Sequence, residues 1–309
     1  MHPHGIHTID TGFVRPHFDA AYLVVENGRG AFIDCGTNHS VPRMLAELDN
    51  AGLQPEHVEW LILTHVHLDH AGGAGELMEK LPNARLVAHP RGARHMIDPS
   101  MLWAGASAVY GEETMEREYG RLRPVAADRV IESADGYVVD LRGRPLLCVE
   151  TPGHAKHHQA IYDERARVCF TGDTFGLSYR ELDTAQGAFG VPTTTPTQFD
   201  PEQLIASIDR LMATGAQAAY LMHYSRVTGL PAIAASLKAQ IGQFAAMTLR
   251  HAAAADPYAA IYADMRALWI DLARAHGLAE PEARVDEYLS KDLDLNTQGL
   301  LAWLQRQRR

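Results

Sequence analysis

The sequence predicts an α/β protein built as a four-layer αβ/βα sandwich with an all-helical segment at its C-terminus. Residues 1–229 fall into two halves, and each half runs from short strands to a helix and on to another strand. That order fits two sheets packed face to face with helices on the outside. After residue 229 the apolar residues follow helical spacing only. We therefore expect one sandwich domain over residues 1–229 and a helical subdomain over residues 230–309.

The first half contains alternating strand and helix signals. The dipeptide Asn27-Gly28 lies between two β-rich stretches and suits the tight turn of a hairpin. Ser40 is a suitable N-cap for the helix that follows, and Gly52 ends the apolar pattern of that helix. The predicted elements are strands at residues 6–10, 20–26, 31–34, 58–63 and 85–89, with helices after residue 40, at 75–80 and between 90 and 123.

The second half repeats this order, and the C-terminal segment then becomes helical. The predicted strands lie at residues 130–132, 137–140, 146–150, 159–162, 168–171 and 218–222, with a helix at 201–212. Beyond residue 229 three apolar stripes are visible, at 233–244, 261–272 and, more briefly, 300–304. These stripes predict two substantial helices and a short third one.

The composition excludes several classes of function. The 309 residues carry 28 basic and 38 acidic side chains, a net charge of −10 with no Lys/Arg-rich run, so no nucleic-acid partner is expected. No apolar stretch reaches the roughly 18 residues of a membrane span, and no signal-peptide pattern is visible, so we expect a cytoplasmic protein without a membrane partner. Three cysteines without a CxxC pair argue against a disulfide framework.

A cluster of potential metal ligands follows the predicted strand at 58–63. His65, His67, Asp69 and His70 form the pattern HxHxDH within six positions, in a chain of 309 residues that has 17 histidines. At strand spacing His65 and His67 point the same way, and a turn into the next helix can direct Asp69 and His70 to a second point nearby. The pattern is specific enough to predict a metal site.

Three further potential ligands follow later strands. His154 ends the motif Pro-Gly-His, Asp173 lies in Thr-Gly-Asp-Thr, and His223 comes after the predicted strand at 218–222. Each alone is a weak signal, because a Gly-His or Gly-Asp pair is common in turns. Together with the HxHxDH pattern they complete the ligands for two metal ions.

This set of motifs resembles the metallo-β-lactamase superfamily over about residues 1–229. The resemblance implies that His65, His67 and His154 bind one metal ion, that Asp69, His70 and His223 bind the other, and that Asp173 bridges them. No position of that ligand set is missing. His158 lies where relatives often have a buried histidine, so we expect it to support a ligand from behind. His157 is expected to be exposed.

The ligand types point to hydrolysis. Imidazole and carboxylate donors without cysteine suit two Zn²⁺ ions, although Fe or Mn would also accept this set. Two such ions would generate a bridging hydroxide and polarise a carbonyl or phosphoryl oxygen. Asp69 is the expected catalytic residue, orienting the hydroxide and moving its proton. No GxSxG motif of a serine hydrolase occurs.

The substrate class is less defined than the site. We favour a small-molecule ester, thioester or lactone, because the bridging aspartate and the helical C-terminal addition resemble glyoxalase II, lactonases and thioesterases of the superfamily. A phosphodiester hydrolase is the alternative. An iron-dependent redox enzyme resembling persulfide dioxygenases is a third class, although those use a single iron, and a binding protein with an unused site is a fourth.

Several side chains are candidates for substrate contact. The loop after Asp173 is expected to face the substrate, and an arginine there would suit a carboxylate or phosphate. Each candidate can equally be a packing residue or a surface ion pair. The candidates are Phe175, Tyr179, Arg180 and Trp103, with Asn38 and His39 as weaker ones.

The helical segment has two alternative roles. It begins a few residues after His223, so its first helix leaves from the edge that carries the metal ligands. We therefore predict that these helices cap the cleft, with Tyr258, Tyr262 or Trp269 near its mouth. The alternative is a stability or dimerisation element remote from the cleft, and a homodimer stays open.

Overall fold

The predicted sandwich is confirmed in the computed structural model, which describes residues 3–194 and 198–308. Its strands are β1 (Ile6–Asp10), β2 (Ala20–Glu26), β3 (Arg29–Ile33), β4 (Val58–Ile62), β5 (Arg85–Ala88), β6 (Val130–Glu132), β7 (Val138–Leu141), β8 (Arg144–Glu150), β9 (Gln159–Asp163), β10 (Val168–Phe170), β11 (Ala218–Leu221) and β12 (Ser225–Val227). They form two six-stranded sheets with the orders β1-β2-β3-β4-β5-β6 and β12-β11-β10-β9-β8-β7.

Both sheets are mixed. In the first, β1, β2 and β3 are antiparallel, whereas β3 to β6 run parallel. In the second, only β10 and β11 are parallel. Asn27 and Gly28 have φ of 47° and 71°, which is the left-handed backbone that the predicted hairpin turn between β2 and β3 requires. The parallel strands matter for function, since their carboxyl ends lie together at one edge.

Alternate residues of the strands belong to different layers of the core. On β2, Tyr22 and Val24 lie in the apolar cluster between the two sheets, while Leu23 lies in the cluster beneath the outer helices. Phe32 on β3 joins Leu23 in that outer cluster. This period of two is what a sheet covered on both faces requires.

The helices cover the outer faces of the sheets and form the C-terminal segment. They are α1 (Val41–Asn50), α2 (Leu68–Ala71), α3 (Ala74–Lys80), α4 (Pro90–Ile97), α5 (Ser100–Tyr110), α6 (Glu112–Tyr119), α7 (Pro201–Ala213), α8 (Leu230–Arg250), α9 (Pro257–Ala275) and α10 (Pro281–Gln307). Sequence signals mark several starts: Asp256 caps α9 by accepting from the backbone N–H of Ala259 at 3.0 Å, and Pro257 occupies the first turn.

The C-terminal helices pack against α7 and against one another. Leu237 of α8, Trp269 of α9 and Leu293 of α10 belong to the same hydrophobic cluster as the residues between the sheets. The predicted division of the chain at residue 229 stays a prediction. No helix in residues 3–194 and 198–308 has the length and apolar character needed to cross a membrane.

Two elements differ from the sequence prediction. The third C-terminal helix, α10, has 27 residues rather than a short stretch near residue 300. The buried residues Val285, Leu289 and Leu293 are separated by charged residues, which obscures the apolar stripe in this part of the helix. The stripe is evident from the sequence only near Leu300 and Leu304. Strand β12 was not predicted, because three residues are too short to show a periodic pattern.

Candidate metal centre

The loop after β4 carries four of the predicted donors. The backbone at His67 is extended (φ −68°, ψ 155°), and α2 begins at the next residue. His65 and His67 therefore project to the same side, with Nε2 of the first 2.7 Å from Nδ1 of the second. The first turn of α2 then carries Asp69 and His70 to a neighbouring position. The local change from extended to helical backbone thus separates the four donors into two pairs.

The other three donors reach the same edge from the second sheet. His154 follows β8, Asp173 follows β10 and His223 follows β11. Because β10 and β11 are parallel, their carboxyl ends coincide, and the backbone N–H of Thr171 donates to the carbonyl of Tyr220 at 3.1 Å. The structure therefore brings all seven predicted donors together.

The first group of donors contains three histidines and one carboxylate oxygen. Nε2 of His154 lies 3.2 Å from Nδ1 of His67 and 3.2 Å from Oδ2 of Asp173. With His65 these residues form a set whose donor atoms all lie within 4.8 Å of one another. Such spacing is compatible with one metal ion bound by all four side chains.

The second group lies on the other side of Asp173. Nε2 of His223 is 3.6 Å from Oδ2 of Asp69, and Nε2 of His70 is 3.8 Å from the same oxygen. Oδ1 of Asp173 faces this group, at 3.3 Å from His70 Nε2 and 3.6 Å from His223 Nε2. The two carboxylate oxygens of Asp173 therefore face different groups of donors.

Unpartnered polar atoms at this point favour bound cations. Nε2 of His70 and Oδ1 of Asp173 are buried and have no hydrogen-bond partner within the described residues, although they lie 3.3 Å apart. Buried polar atoms without partners are uncommon in proteins, and a cation coordinated by both would satisfy them. The donor set thus fits the metal ions that the motifs predict.

The protonation states of the site also suit metal binding. Burial, followed by the proximity of other imidazoles, holds the pKa of His65, His67 and His154 well below the usual value, so these rings are neutral. Neutral imidazole is the form that coordinates a metal. Burial lowers the pKa of His70 too, but the carboxylates of Asp173 and Asp69 outweigh it and raise that pKa. The negative charges of Asp69 and Asp173 therefore favour a cation beside His70.

His158 lies behind Asp173. It is fully buried, and Nε2 accepts the backbone N–H of Asp173 at 3.0 Å. Nδ1 lies 2.8 Å from the hydroxyl of Thr151 and 3.1 Å from that of Thr174. Gly172 makes this contact possible, because a Cβ there would lie 2.4 Å from His158 Nε2 and its φ is +50°.

Two buried carboxylates beside the donors were missed in the sequence. Asp34, just after β3, accepts from Nδ1 of His70 at 3.0 Å and from the Thr64 hydroxyl at 2.6 Å. Asp19 lies with Oδ1 3.9 Å from Nδ1 of His223, and burial raises its pKa to about 7. Asp34 thus orients the ring of His70, whereas the ring of His223 is oriented by the carbonyl of Phe18, which lies 3.1 Å from its Nδ1. The signal that could have found Asp34 is its place at a strand end, like the other donors.

His157 corrects one prediction. It is 9% exposed rather than on the surface, and its Nδ1 accepts the backbone N–H of Val66 at 3.4 Å. The ring lies beneath a cleft beside His67, where burial and then the nearby His95 lower its pKa to about 4. The HxHxDH loop packs onto this segment, which is why a residue flanked by polar neighbours is buried.

The aromatic substrate candidates belong to the packing of the protein. Phe175 is 1% exposed within the hydrophobic core, so it does not face a substrate. Tyr179 is fully buried, and its hydroxyl donates to Oδ2 of Asp292 at 3.2 Å. The prediction that they contact substrate is wrong, because the loop after Asp173 folds inward beneath the C-terminal helices.

The remaining candidates are occupied by local contacts. The Arg180 guanidinium donates to Ser178 and pairs with Asp183 at 3.2 Å. Asn38 donates to the carbonyl of Arg121, and His39 Nε2 lies 3.0 Å from the carbonyl of Arg117, so both hold the chain around α6. Trp103 lies half-buried on α5. In the part of the chain that the structure describes, Arg180, Asn38, His39 and Trp103 have no contact with the seven donors.

The C-terminal helix at this edge is α10 rather than α9. Trp269 is fully buried and its indole donates to Gln240 at 3.0 Å, which corrects its predicted place at the cleft mouth. Tyr258 donates to Asp294 and stacks on Tyr262. Two residues of α10 bind segments beside the donors: Asp292 accepts from Tyr179, and Asn296 accepts the backbone N–H of Thr194 at 2.6 Å, next to the Thr193 carbonyl that lies 3.3 Å from His154 Nδ1.

Comparisons with known proteins agree with this arrangement. ST1585 of Sulfurisphaera tokodaii, a metallo-beta-lactamase fold-containing protein, is 26% identical over 211 residues, which are 67% of this chain and 73% of that protein. The acyl-coenzyme A thioesterase MBLAC2 of Bos taurus is 27% identical over 163 residues, 49% of this chain and 56% of that protein. The chain therefore spans little more than half of the thioesterase.

Solved structures share the fold. The crystal structure of ST1585 superposes with a TM-score of 0.66 at 22% identity, covering 96% of this chain and 98% of that one. TTHA1429 from Thermus thermophilus, a metallo-beta-lactamase family protein, gives 0.67 at 22% identity, covering 98% and 94%. A family model described as the metallo-beta-lactamase superfamily matches residues 14–223, which hold all seven donors. The chain belongs to the metallo-beta-lactamase superfamily.

Proposed function

We propose that the protein is a binuclear metal-dependent hydrolase that cleaves an ester, thioester or lactone bond in a small molecule. The observation that carries this proposal is the position of Asp173, whose Oδ2 lies 3.2 Å from His154 and whose Oδ1 lies 3.3 Å from His70. One carboxylate can thus serve both donor groups. Of the superfamily's activities, the thioesterase MBLAC2 supplies the nearest named chemistry among the relatives described above.

In this proposal the two donor groups hold two divalent cations. Zn²⁺ is the ion that nitrogen and oxygen donors without cysteine suit best, with Fe and Mn as alternatives. Cations bound there would acidify a coordinated water and polarise the carbonyl of a substrate. The assignment is His65, His67 and His154 for one ion, Asp69, His70 and His223 for the other, and Asp173 for both.

The protein's own groups would manage the proton. The Asp69 side chain is 26% exposed, whereas those of His70 and Asp173 are 1% and 6% exposed. Asp69 is therefore the acidic donor best able to meet an entering substrate, and its oxygen that does not face His70 and His223 can hold a proton and pass it to a leaving group. Burial acts to raise the pKa of Asp69, but nearby His70 and His223 outweigh that effect and lower it, so this carboxylate enters the reaction as a base.

The test compares metal content and substrate choice. Protein reconstituted with Zn²⁺, Fe²⁺ or Mn²⁺ would be assayed for metal by elemental analysis and for kcat/KM with butyryl-coenzyme A, butyryl-N-acetylcysteamine, a homoserine lactone, bis-p-nitrophenyl phosphate and glutathione persulfide. We expect about two ions per chain and hydrolysis of a thioester, ester or lactone. Preference for the phosphodiester, or oxygen uptake with the persulfide, would overturn the proposed reaction.

Variants link that activity to the centre. Asp173→Asn should lower kcat/KM by at least about 100-fold and release metal, because a neutral amide bridges two cations poorly. His67→Ala should likewise lose one ion and most activity. His57→Ala is the matched control, since His57 precedes the opposite end of β4 and binds only the local backbone of Gln54. Full turnover with both ions in Asp173→Asn would refute the assignment.

A further inference from the structure

A cleft of about 640 Å³ opens beside His67 and is lined by basic side chains. Arg91 and Arg94 project from α4 on one wall, and Lys156 comes from the segment two residues after His154 on the other. None of the described residues that line this cleft is acidic. The cleft thus adjoins the candidate metal centre through His67 and carries a concentrated positive charge.

Many basic residues of the molecule form ion pairs, whereas no ion pair of these three cations is found among the described residues. Arg142, Arg210 and Arg266 all form ion pairs with acidic side chains, as expected for a chain of net charge −10. By contrast, Arg91 and Arg94 have no acidic partner within 4.0 Å among the described residues.

The same holds for Lys156. Of the acidic groups in this part of the protein, Glu150 pairs with His89 at 3.2 Å, and Asp98 accepts the backbone N–H of Ser100 at 3.0 Å and lies near the ring of His95. The three cations therefore keep their charge for a ligand.

The walls of the cleft are fixed relative to the metal donors. Gly92 lets α4 approach the HxHxDH loop, since a Cβ at that position would lie 2.8 Å from Val66. Arg91 Nη1 donates to the carbonyl of Lys156 at 3.4 Å, which joins the two walls. The backbone N–H of Lys156 donates to Gln198 Oε1 at 2.7 Å. A ligand group held by these side chains would thus have a defined position relative to His67.

We propose that this cleft binds a phosphate-bearing part of the substrate while the scissile bond lies at the metal centre. Three cations exceed what a single carboxylate needs, and two guanidinium groups suit the several oxygens of a phosphate. The volume accommodates much more than an isolated phosphate. This inference rests on the proposed function and narrows it to phosphorylated thioesters or esters. It also replaces Arg180 as the anion-binding residue predicted from the sequence.

Direct binding tests the cleft without catalysis. Adenosine 3′,5′-bisphosphate is the probe, titrated by calorimetry into the metal-loaded wild type and into the triple variant Arg91→Gln, Arg94→Gln, Lys156→Gln. We expect binding to weaken at least 10-fold in the variant and to weaken with added salt, as for charge-dominated contacts. The matched control is Arg266→Gln, Arg274→Gln, Lys238→Gln, which removes the same charges from exposed ion pairs on α8 and α9. Binding that the cleft variant leaves unchanged would overturn the proposal.

Kinetics separate this proposal from the function on which it rests. For butyryl-coenzyme A the cleft variant should raise KM at least 10-fold, whereas for the uncharged butyryl-N-acetylcysteamine KM should stay within 2-fold. Wild-type hydrolysis of both thioesters with no charge-dependent binding of the bisphosphate would refute the cleft but keep the hydrolase. Charge-dependent binding of the probe without hydrolysis of any ester or thioester would refute the proposed reaction and keep the anion site.

Discussion

The ring of His158 accepts the backbone N–H of Asp173 through Nε2 at 3.0 Å. Because Nε2 is the acceptor, the proton of this neutral ring resides on Nδ1, which lies between the hydroxyls of Thr151 and Thr174. Burial, and then the neighbouring His70, holds the pKa of His158 well below its usual value, in agreement with this state. The backbone of Asp173 is thus held by a histidine that is not itself one of the seven donors.

Removal of the His158 ring should loosen the metal centre without unfolding the protein. We expect His158→Ala to reduce metal affinity by about 10- to 100-fold, the range found when a group supporting a ligand is lost. Competition with a chromophoric chelator measures this affinity, and circular dichroism checks the fold. His57→Ala, which alters a histidine at the far end of β4, should keep wild-type affinity. Unchanged affinity in His158→Ala would mean that the backbone of Asp173 holds its position unaided.

The glycine before Asp173 should tolerate no side chain. A Cβ on Gly172 would lie 2.4 Å from His158 Nε2, on a backbone with φ +50°. We expect Gly172→Ala to lower the free energy of unfolding by about 2 to 3 kcal/mol, combining left-handed strain with displacement of a buried ring. Gly215→Ala is the control, because its φ is +75° but nothing lies within 4 Å, so only about 1 kcal/mol of strain applies. Equal losses in urea denaturation would argue against the steric contact with His158.

The seven candidate donors could be predicted from the sequence because each lies in a short motif at the end of a predicted strand. Each follows an apolar strand, and HxHxDH places two histidines on one side of an extended segment before a helical turn redirects Asp69 and His70. The sheet order then brings His154, Asp173 and His223 to the same edge, which spacing alone could not fix. The family resemblance supplied that long-range information.

The misassigned residues depend on long-range packing. The sequence around Tyr179 gives no sign that α10 covers it, since that helix lies more than 100 residues away and has an apolar face interrupted by charges. The position of Asp34 at the end of a strand can be predicted from the sequence. Its contact with His70 cannot, because that contact depends on the turn of α2. The basic cleft lies between α4 and the segment after His154. It could not be predicted from the sequence, because these two segments are far apart along the chain.

The carboxylate behind His70 should control the second group of donors. Asp34 accepts from His70 Nδ1 at 3.0 Å and from the Thr64 backbone N–H at 2.7 Å. The amide of Asp34→Asn is uncharged, so it binds the ring of His70 more weakly than the carboxylate does. We therefore expect metal affinity to fall by about 10- to 100-fold, and the ion at His70 to be lost first. Elemental analysis after dialysis at limiting metal should give about one ion per chain. Asp10→Asn, which changes a carboxylate bound only to exposed turn backbone, should retain two.

The buried pair Tyr179–Asp292 predicts a pH-dependent stability of the metal-free protein. Burial raises the pKa of Asp292 to about 6 from its ordinary 3.8, although His223 and the Tyr179 hydroxyl act in the opposite direction. Between those values the folded protein holds a proton that the unfolded chain has released. The contribution of Asp292 to stability therefore falls as pH rises from about 4 to about 6.

Asp292→Asn removes this ionisable group while keeping an oxygen that accepts from Tyr179. Relative to wild type, the variant should gain on the order of 2 kcal/mol in unfolding free energy between pH 4 and pH 7.5, measured by urea denaturation after chelator treatment. Asp294→Asn, two residues along α10, is the matched control, because it makes the same exchange at a half-buried site bonded to Tyr258. If the Asp292→Asn difference were independent of pH, the carboxylate would have to ionise normally beneath α10, stabilised by His223 and Arg15 more strongly than burial opposes it.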